Sequence, residues 1–462
     1  MVETREEIPQ FNKKPLIAVL LIGAFVAILN QTLLTTALPH LMTDLEINEN
    51  EAQWVTTIFM LVNGIMIPIT AFLIEKFTAR SLFLTAMIMF GLVTLICAIS
   101  PSFSMLLIGR VVQASGAGIM MPLMQTVFLL IFPKEKRGTA MGMVGLVISF
   151  APAIGPTLSG WLVESYHWSI LFWILMPIVV FDIIAAIFVM RNVTTLRHPK
   201  LDSLSIILST LGFGGLLFAF SNAGQASWGS PLVFIPLLIG VLSLFLFIKR
   251  QLRLPQPVLE FSCIYIPCFS LTTVIGMLVF VSLVGPATIL PIFMQNMQGY
   301  SAFETGLTIL PGAVLMGIMS PITGRIFDKI GARSLAIIGL TLIFVSSLLY
   351  TNLTTDTSLA YLTIVYAVRM FGLSLFLMPV TTAGLNVLPR ELIPHGTAMN
   401  NTMRQVSGSI GTAILVSVMT ASTSTENSEA MIQGVNNSFI VATCVAFVSL
   451  ILAFFIKKNV TR

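Results

Sequence analysis

Apolar residues run along this chain in blocks of about twenty, the length a helix needs to cross the hydrocarbon core of a bilayer. Short polar connections separate them. The blocks fall near residues 16–38, 53–74, 82–99, 104–131, 139–162, 169–190, 204–222, 231–248, 267–293, 305–325, 334–352, 358–380, 397–419 and 437–456. The pattern predicts an all-α polytopic membrane protein with 14 transmembrane helices. One block carries unusual punctuation, with Gly145, Pro152, Gly155, Pro156 and Gly160 inside an apolar run. Such residues are tolerated in a membrane helix, where neighbouring helices and water satisfy the freed backbone groups. Ala151, Gly155 and Ser159 lie four residues apart and form a small-residue stripe that lets a second helix approach closely. A hinge between two conformations and plain structural packing both fit this stretch.

Composition agrees with lipid as the solvent. The chain of 462 residues is 56% hydrophobic and 9% charged, against about 25% charged in a soluble domain. Residues 1–14 are polar, and the block after them lacks the small-residue site of a cleaved signal peptide. Cys97, Cys263, Cys268 and Cys444 make no close pair, and His40, His167, His198 and His395 are scattered near block ends. No metal site, cofactor site or catalytic constellation is expected, so enzyme chemistry has little support.

Charge orients the blocks. Connections 39–52, 100–103, 163–168, 223–230, 294–304, 353–357 and 420–436 contain no Lys or Arg. The basic residues of the loops and tails fall on the other side: Lys76, Arg80, Lys134 to Arg137, Arg191 to Lys200, Lys249 to Arg253, Arg325 to Arg333, Arg390 and Lys457 to Arg462. By the positive-inside rule both termini are expected in the cytoplasm. The net charge of +5 then needs no nucleic-acid partner, since these residues sit beside anionic headgroups.

The chain also repeats. Gly138-Thr-Ala-Met141 returns as Gly396-Thr-Ala-Met399, Arg110 as Arg369, and the loop ending Glu75-Lys76-Phe-Thr-Ala-Arg80 as Asp328-Lys329-Ile-Gly-Ala-Arg333, at offsets of 258, 259 and 253. Three features in one order predict two related six-helix bundles with two helices inserted between them. The boundaries are read as 1–190 for the first bundle, 191–265 for the inserted pair with its linkers, and 266–462 for the second bundle. Secondary transporters are commonly built from two such repeats around a midplane site.

Only one acidic residue lies well inside a predicted span. Asp182 is about 13 Å from the end of its span at ~1.5 Å per residue, with Ala185 and Ala186 on the same face. An intramembrane acid is a functional candidate by default. It reads either as the group that takes up a coupling proton or as a hydrogen-bonded structural Asp. Arg110 reads either as a proton-relay or substrate-facing cation or as a bridge to an acidic residue of a neighbouring loop. Glu75, Lys76, Arg80, Asp328, Lys329 and Arg333 read as a gate latch that pairs in one conformation and parts in the other.

These residues resemble the major facilitator superfamily, and within it the fourteen-span drug:proton antiporters. The loop at Gly324, Asp328, Lys329, Gly331 and Arg333 is similar to that family's G-x-x-x-D-R-x-G-R-R loop, with a degraded copy at Ala71, Glu75, Lys76, Thr78 and Arg80. Arg110 with Gln113 and Gly116 resembles the fourth-span arginine motif. Ala151-Pro152-x-x-Gly155-Pro156-x-x-x-Gly160 resembles the fifth-span antiporter motif, and Leu29 to Pro39 the end of span one. His167-Trp168 through Pro177 resembles the entry to span six, with Leu175 where the pattern has Asn. Asn30 stands where many relatives carry an Asp associated with coupling, and an Asn does not titrate.

The resemblance implies a major facilitator fold and a monomeric, proton-coupled multidrug exporter of the bacterial plasma membrane working by alternating access. Its partners would be small amphiphilic drug-like substrates, protons and the lipid bilayer, with no cofactor. Proton-coupling candidates are Asp182, Arg110 and Asn30. Spans one, four, nine and twelve would line the pocket, giving Asn30, Gln31, Gln113, Met120, Met121, Gln125, Phe280 and Gln295 as candidates. Neutral or zwitterionic cargo fits as well as cationic cargo. Two other readings stand: a dedicated exporter of one lipid, peptide or metabolite, and a non-transporting sensor or scaffold. The last would be expected to carry a large soluble domain, and the longest polar stretches here are about twenty residues. No phosphate-binding G-x-x-x-x-G-K-[ST] loop is present to drive an ATP pump.

Overall fold

The computed structural model describes residues 12–194, 196–197, 199, 201–223, 228–421 and 428–457. Among them every regular element is a helix. Fourteen are long: α1 Lys13–Leu33, α2 Glu49–Lys76, α3 Ala79–Ala98, α4 Phe103–Ile131, α5 Arg137–Val163, α6 Leu175–Val189, α7 Ser203–Ala223, α8 Pro231–Gln251, α9 Pro267–Ile292, α10 Ala302–Ile330, α11 Ala332–Leu349, α12 Leu359–Asn386, α13 Ile393–Ala421 and α14 Ser428–Ala453. Each apolar block overlaps one of them. The first block ends differently from its reading, because α1 stops at Leu33 and a short helix, Leu38–Asp44, follows with Pro39 in its first turn. Lys200, Lys458 and Arg462, counted above with the basic residues of one side, lie outside the described residues.

Helix starts are written into the sequence. Asn48 with Glu51 and Ser301 with Glu304 form capping boxes at α2 and α10. Thr78, Ser102, Ser230 and Ser358 accept first-turn N–H groups at α3, α4, α8 and α12. These side chains satisfy donors that helical geometry leaves orphaned. Gly331, at φ 81°, turns the chain sharply between α10 and α11 in a region a Cβ disfavours.

Thirteen described helices are long and apolar enough to cross a bilayer. The exception is α13, which at 29 residues has the length but carries His395, Asn400, Asn401, Arg404 and Gln405. Its polar side chains are mostly buried in protein, the condition under which such groups persist at membrane depth.

α1 begins and α14 ends on one side of the helix array, here the terminal face. α4 and α12 are the most enclosed spans, while α8 lies at the periphery with most of its residues outside the protein core. The first six helices meet the last six chiefly where α5 packs on α10 and α2 on α13, with α12 also against α5 and α13 also against α4. The inserted α7 and α8 pack on each other where a Cβ at Gly215 would come 2.7 Å from the Pro236 carbonyl oxygen. α7 then seats against both α2 and α13, with Trp54 and Phe218 rings 5.7 Å apart. The inserted pair therefore covers one seam between the bundles.

At the terminal face, Arg250 donates Nε and Nη2 to Asp202 at 2.7 and 2.9 Å, and Ser205 donates to the same carboxylate. These bonds tie the start of α7 to the end of α8. The adjacent guanidinium holds the Asp202 carboxyl below its ordinary range, at about 2.

Candidate functional site

The two bundles touch most closely where α5 crosses α10. A Cβ at Gly324 would sit 2.2 Å from the Gly138 carbonyl oxygen, and one at Gly142 would sit 2.6 Å from the Ser320 carbonyl oxygen. Only glycine lets these backbones meet. Just below the crossing, Asp328 of α10 accepts the Gly138 N–H at 2.7 Å, the Thr139 N–H at 2.8 Å and the Thr139 hydroxyl at 2.6 Å. Lys136, the residue before α5, supplies no side-chain cap. A carboxylate from one bundle thus caps a helix of the other, where orphan donors and the helix dipole favour negative charge. Arg137 adds a bond from Nη1 to the Asn386 side-chain oxygen at 3.0 Å.

The second seam carries a related clamp. His395, at the start of α13, lies with Nε2 3.1 Å from Glu75 Oε1 at the end of α2. His395 Nδ1 accepts the Glu260 N–H at 3.2 Å. In the neutral ring the proton therefore sits on Nε2 and points at Glu75. Arg197 donates its N–H to the Glu75 carbonyl at 2.9 Å and pairs with Glu391 at 2.9 Å. Arg137 and His395 are separated by 258 residues, the offset of the Gly-Thr-Ala-Met repeat that follows each. Each bundle thus offers the first turn of the same repeated helix to an acid of the other.

One layer deeper, the Asn401 amide donates to Gln125 Oε1 of α4 at 2.8 Å and to the Thr397 carbonyl at 2.9 Å. The Asn401 oxygen accepts from Arg404 Nη2 at 2.6 Å. The Arg404 guanidinium lies over the Phe280 ring of α9, 5.2 Å from its centroid. These three sets of interbundle hydrogen bonds lie on the terminal side of the midplane.

The residues singled out from sequence divide between this seam and other places. Glu75, Asp328, Gln125 and Phe280 meet in it. Arg80 instead donates to the Ile187 carbonyl at 2.7 Å, Lys76 lies over the Phe72 and Phe77 rings, Lys329 is exposed and Arg333 half-buried. Arg110 is fully buried within the first bundle: Nε donates to the Val55 carbonyl at 3.2 Å, Nη1 to Gln113 at 2.8 Å, and its plane stacks 4.1 Å from Phe59. No acid pairs with it among the described residues. Gln113 passes the chain on to Thr94 at 2.7 Å. Arg369 occupies the equivalent setting in the second bundle, bonded to Ser282, Ser347 and the Ile343 carbonyl.

Asn30 is buried with neither amide atom bonded, Gln31 and Met121 are half-buried, Met120 is buried, and Gln295 is exposed just beyond the far end of α9. Asp182 is fully buried, and neither carboxyl oxygen has a hydrogen-bond partner. It points to α1, where a Cβ at Gly23 would lie 3.1 Å from Oδ2 and 2.9 Å from the Phe83 ring. Its place is thus between α1, α3 and α6, away from the seam. In α5, Gly145 faces Ser320 and Met378 of the second bundle, whereas Gly155 faces Thr32 of α1. Pro152 is exposed, Pro156 half-buried, and nothing lies within 4 Å of a Cβ at Gly160.

Asn401, Arg404, Arg137, His395 and Asn386 were not singled out from sequence. The signal for Arg404 was present, as an arginine inside a predicted span, and so was the low apolar content of its helix.

Comparison with known proteins matches residues 20–412 to the model for the Major Facilitator Superfamily. The MFS-type transporter YcnB of Bacillus subtilis (strain 168) is 59% identical over 99% of this chain and 98% of its own length. The lincomycin resistance protein LmrB of Listeria monocytogenes is 41% identical over 96% and 97%. Among solved structures, the human organic anion transporter MFSD10 superposes with a TM-score of 0.71 over 96% of this chain and 100% of that one, at 13% identity. That likeness speaks for the fold alone. Two bundles joined at α5–α10 and α2–α13, the repeated loop and arginine, and a family match over most of the length lead to one conclusion: this chain is a multi-pass membrane protein belonging to the major facilitator superfamily.

Proposed function

We propose that this protein exports drug-like amphiphiles across a bacterial plasma membrane in exchange for protons, working as a monomer by alternating access. The observation that carries the reading is the set of interbundle clamps on the terminal face. Interbundle hydrogen bonds cluster on the terminal face, and the basic connections, which the positive-inside rule assigns to the cytoplasm, lie there too. The described state is then closed toward the cytoplasm, with both termini on that side. Release of the Asp328 and Glu75 contacts opens the path inward and gives the second state that exchange requires.

Asp182 is the proposed proton carrier. A carboxylate with no partner in such a place is an uncompensated buried charge, so its protonation state couples strongly to the packing of α1, α3 and α6. Glu75 offers a second reading, because it is the acid that joins a protonatable group directly to the interbundle clamp. The full-length likeness to a lincomycin resistance protein supports lincosamide-like cargo. Expression in a drug-hypersensitive bacterial host tests the export reading. Tolerance to lincomycin should rise at least about fourfold and fall back when the pH gradient is collapsed. Unchanged tolerance to lincomycin and to a panel of amphiphilic drugs, at confirmed membrane expression, would favour a dedicated exporter of some other cargo.

A further inference from the structure

Arg404 lies eleven residues into α13, about 17 Å from the terminal face at ~1.5 Å per residue, and is 5% exposed. No described Asp or Glu is within ion-pair distance of it. A buried cation without a counter-charge is expensive at this depth. Arg110 and Arg369 limit that cost by donating to backbone and side-chain oxygens on several helices. Arg404 has one such bond, to Asn401, and its Nε and Nη1 are both unspent.

The hydrogen-bond chain fixes what is missing. Arginine only donates, so Asn401 must turn its oxygen to Arg404 and its amide nitrogen to Gln125. Gln125 must then present its oxygen to Asn401, which leaves its own amide unspent. Among Arg404, Asn401 and Gln125, the unmet atoms are Arg404 Nε, Arg404 Nη1 and Gln125 Nε2, each an N–H donor. The Arg404 guanidinium lies over Phe280, a half-buried aromatic face on α9. The vacant role is that of an acceptor, best one with negative charge, attached to an apolar body that can lie on the ring.

We infer that Arg404, Gln125 and Phe280 form a binding site for an amphiphile bearing an oxyanion, such as a carboxylate or sulfonate, and that this group enters the seam between the bundles to complete the arginine. The inference deepens the export reading and rests on it only for the claim that the ligand is cargo. It also ties cargo to the gate, since the same Asn401 that holds Arg404 holds the two bundles together through Gln125.

The test is a binding measurement, independent of transport. The full chain in phosphatidylcholine nanodiscs is titrated with 1-pyrenebutyrate and with its neutral analogue 1-pyrenebutanol, following energy transfer from tryptophan and subtracting empty nanodiscs. The wild type should bind the carboxylate at least about tenfold more tightly, the scale of one charge-assisted hydrogen bond. Arg404→Gln should abolish the preference while leaving pyrenebutanol binding in place, and Arg404→Lys should keep part of it. Equal binding of the two probes by the wild type, or an unchanged preference in Arg404→Gln, overturns the inference. If Arg404→Gln does not fold, the wild type and Arg404→Lys still decide: a lysine variant with less than half the wild-type preference supports the guanidinium site, and one with the full preference overturns it. Lincomycin export without a carboxylate preference would sink this site and leave the export reading standing; the reverse result would do the opposite.

Discussion

Asp328 holds Thr139 twice, through the backbone N–H at 2.8 Å and the hydroxyl at 2.6 Å, although the two residues belong to different bundles. The bond is a helix cap supplied from outside the helix, and so it exists only while the bundles are closed on that face. Replacing Asp328 with Asn removes the charge and half of the acceptor capacity. Charged hydrogen bonds contribute about 1.5–3 kcal/mol, so Asp328→Asn should shift the balance toward the inward-open state by at least about tenfold. Spin labels at Lys134→Cys and Arg325→Cys, both exposed positions flanking the crossing, report the separation in a background without native cysteines. A growth of the longer distance is expected; an unchanged distribution would mean the cap does not hold the seam.

The α5–α10 crossing makes a steric prediction. At Gly324 a Cβ meets the Gly138 carbonyl oxygen at 2.2 Å, whereas at Gly160 it meets nothing within 4 Å. Gly324→Ala should therefore cut transport by about tenfold or more at normal expression, by keeping the bundles from closing. Gly160→Ala, within the antiporter-like motif itself, should stay within about twofold of wild type. Equal loss at both positions would show that the motif acts through something other than close approach.

The Asp202–Arg250 pair sets a pH dependence. Its carboxyl titrates at about 2 when folded, against about 3.9 for a free Asp. A depressed folded value contributes stability that is fully present above about pH 4 and is lost as pH falls through about 2. The thermal midpoint of wild type minus that of Asp202→Asn should be positive and constant from pH 7 to 5, and should shrink below about pH 4. A difference that grows on acidification would contradict the pairing.

The spans were legible because lipid imposes a length and a composition that few other constraints imitate. The repeat also exposed Glu75 and Asp328, since their loops share an order and an offset. What escaped was rotation about each helix axis. α4 is buried nearly all round, so its sequence does not reveal that Gln113 turns inward to Thr94 while Gln125, twelve residues on, reaches α13. Arg137 and His395 escaped for a different reason. They are unlike residues at equivalent positions, and their shared task is visible only once Arg137 is seen against Asn386 and His395 against Glu75 of the other bundle. Arg404 was readable in principle, because an arginine within a span demands a partner.

The central claim is proton-driven export, and proteoliposomes carrying the purified chain test it most directly. With the protein oriented by its termini and an imposed pH gradient as the sole driving force, wild type should accumulate lincomycin on the side opposite the termini. Asp182→Asn should bind lincomycin as wild type does, exchange it across the membrane without the gradient, and lose the gradient-driven accumulation. If wild type accumulates nothing, exchange against protons is refuted for this cargo; if Asp182→Asn accumulates as wild type does, the coupling proton is carried elsewhere, and Glu75 at the clamp becomes the residue to change next.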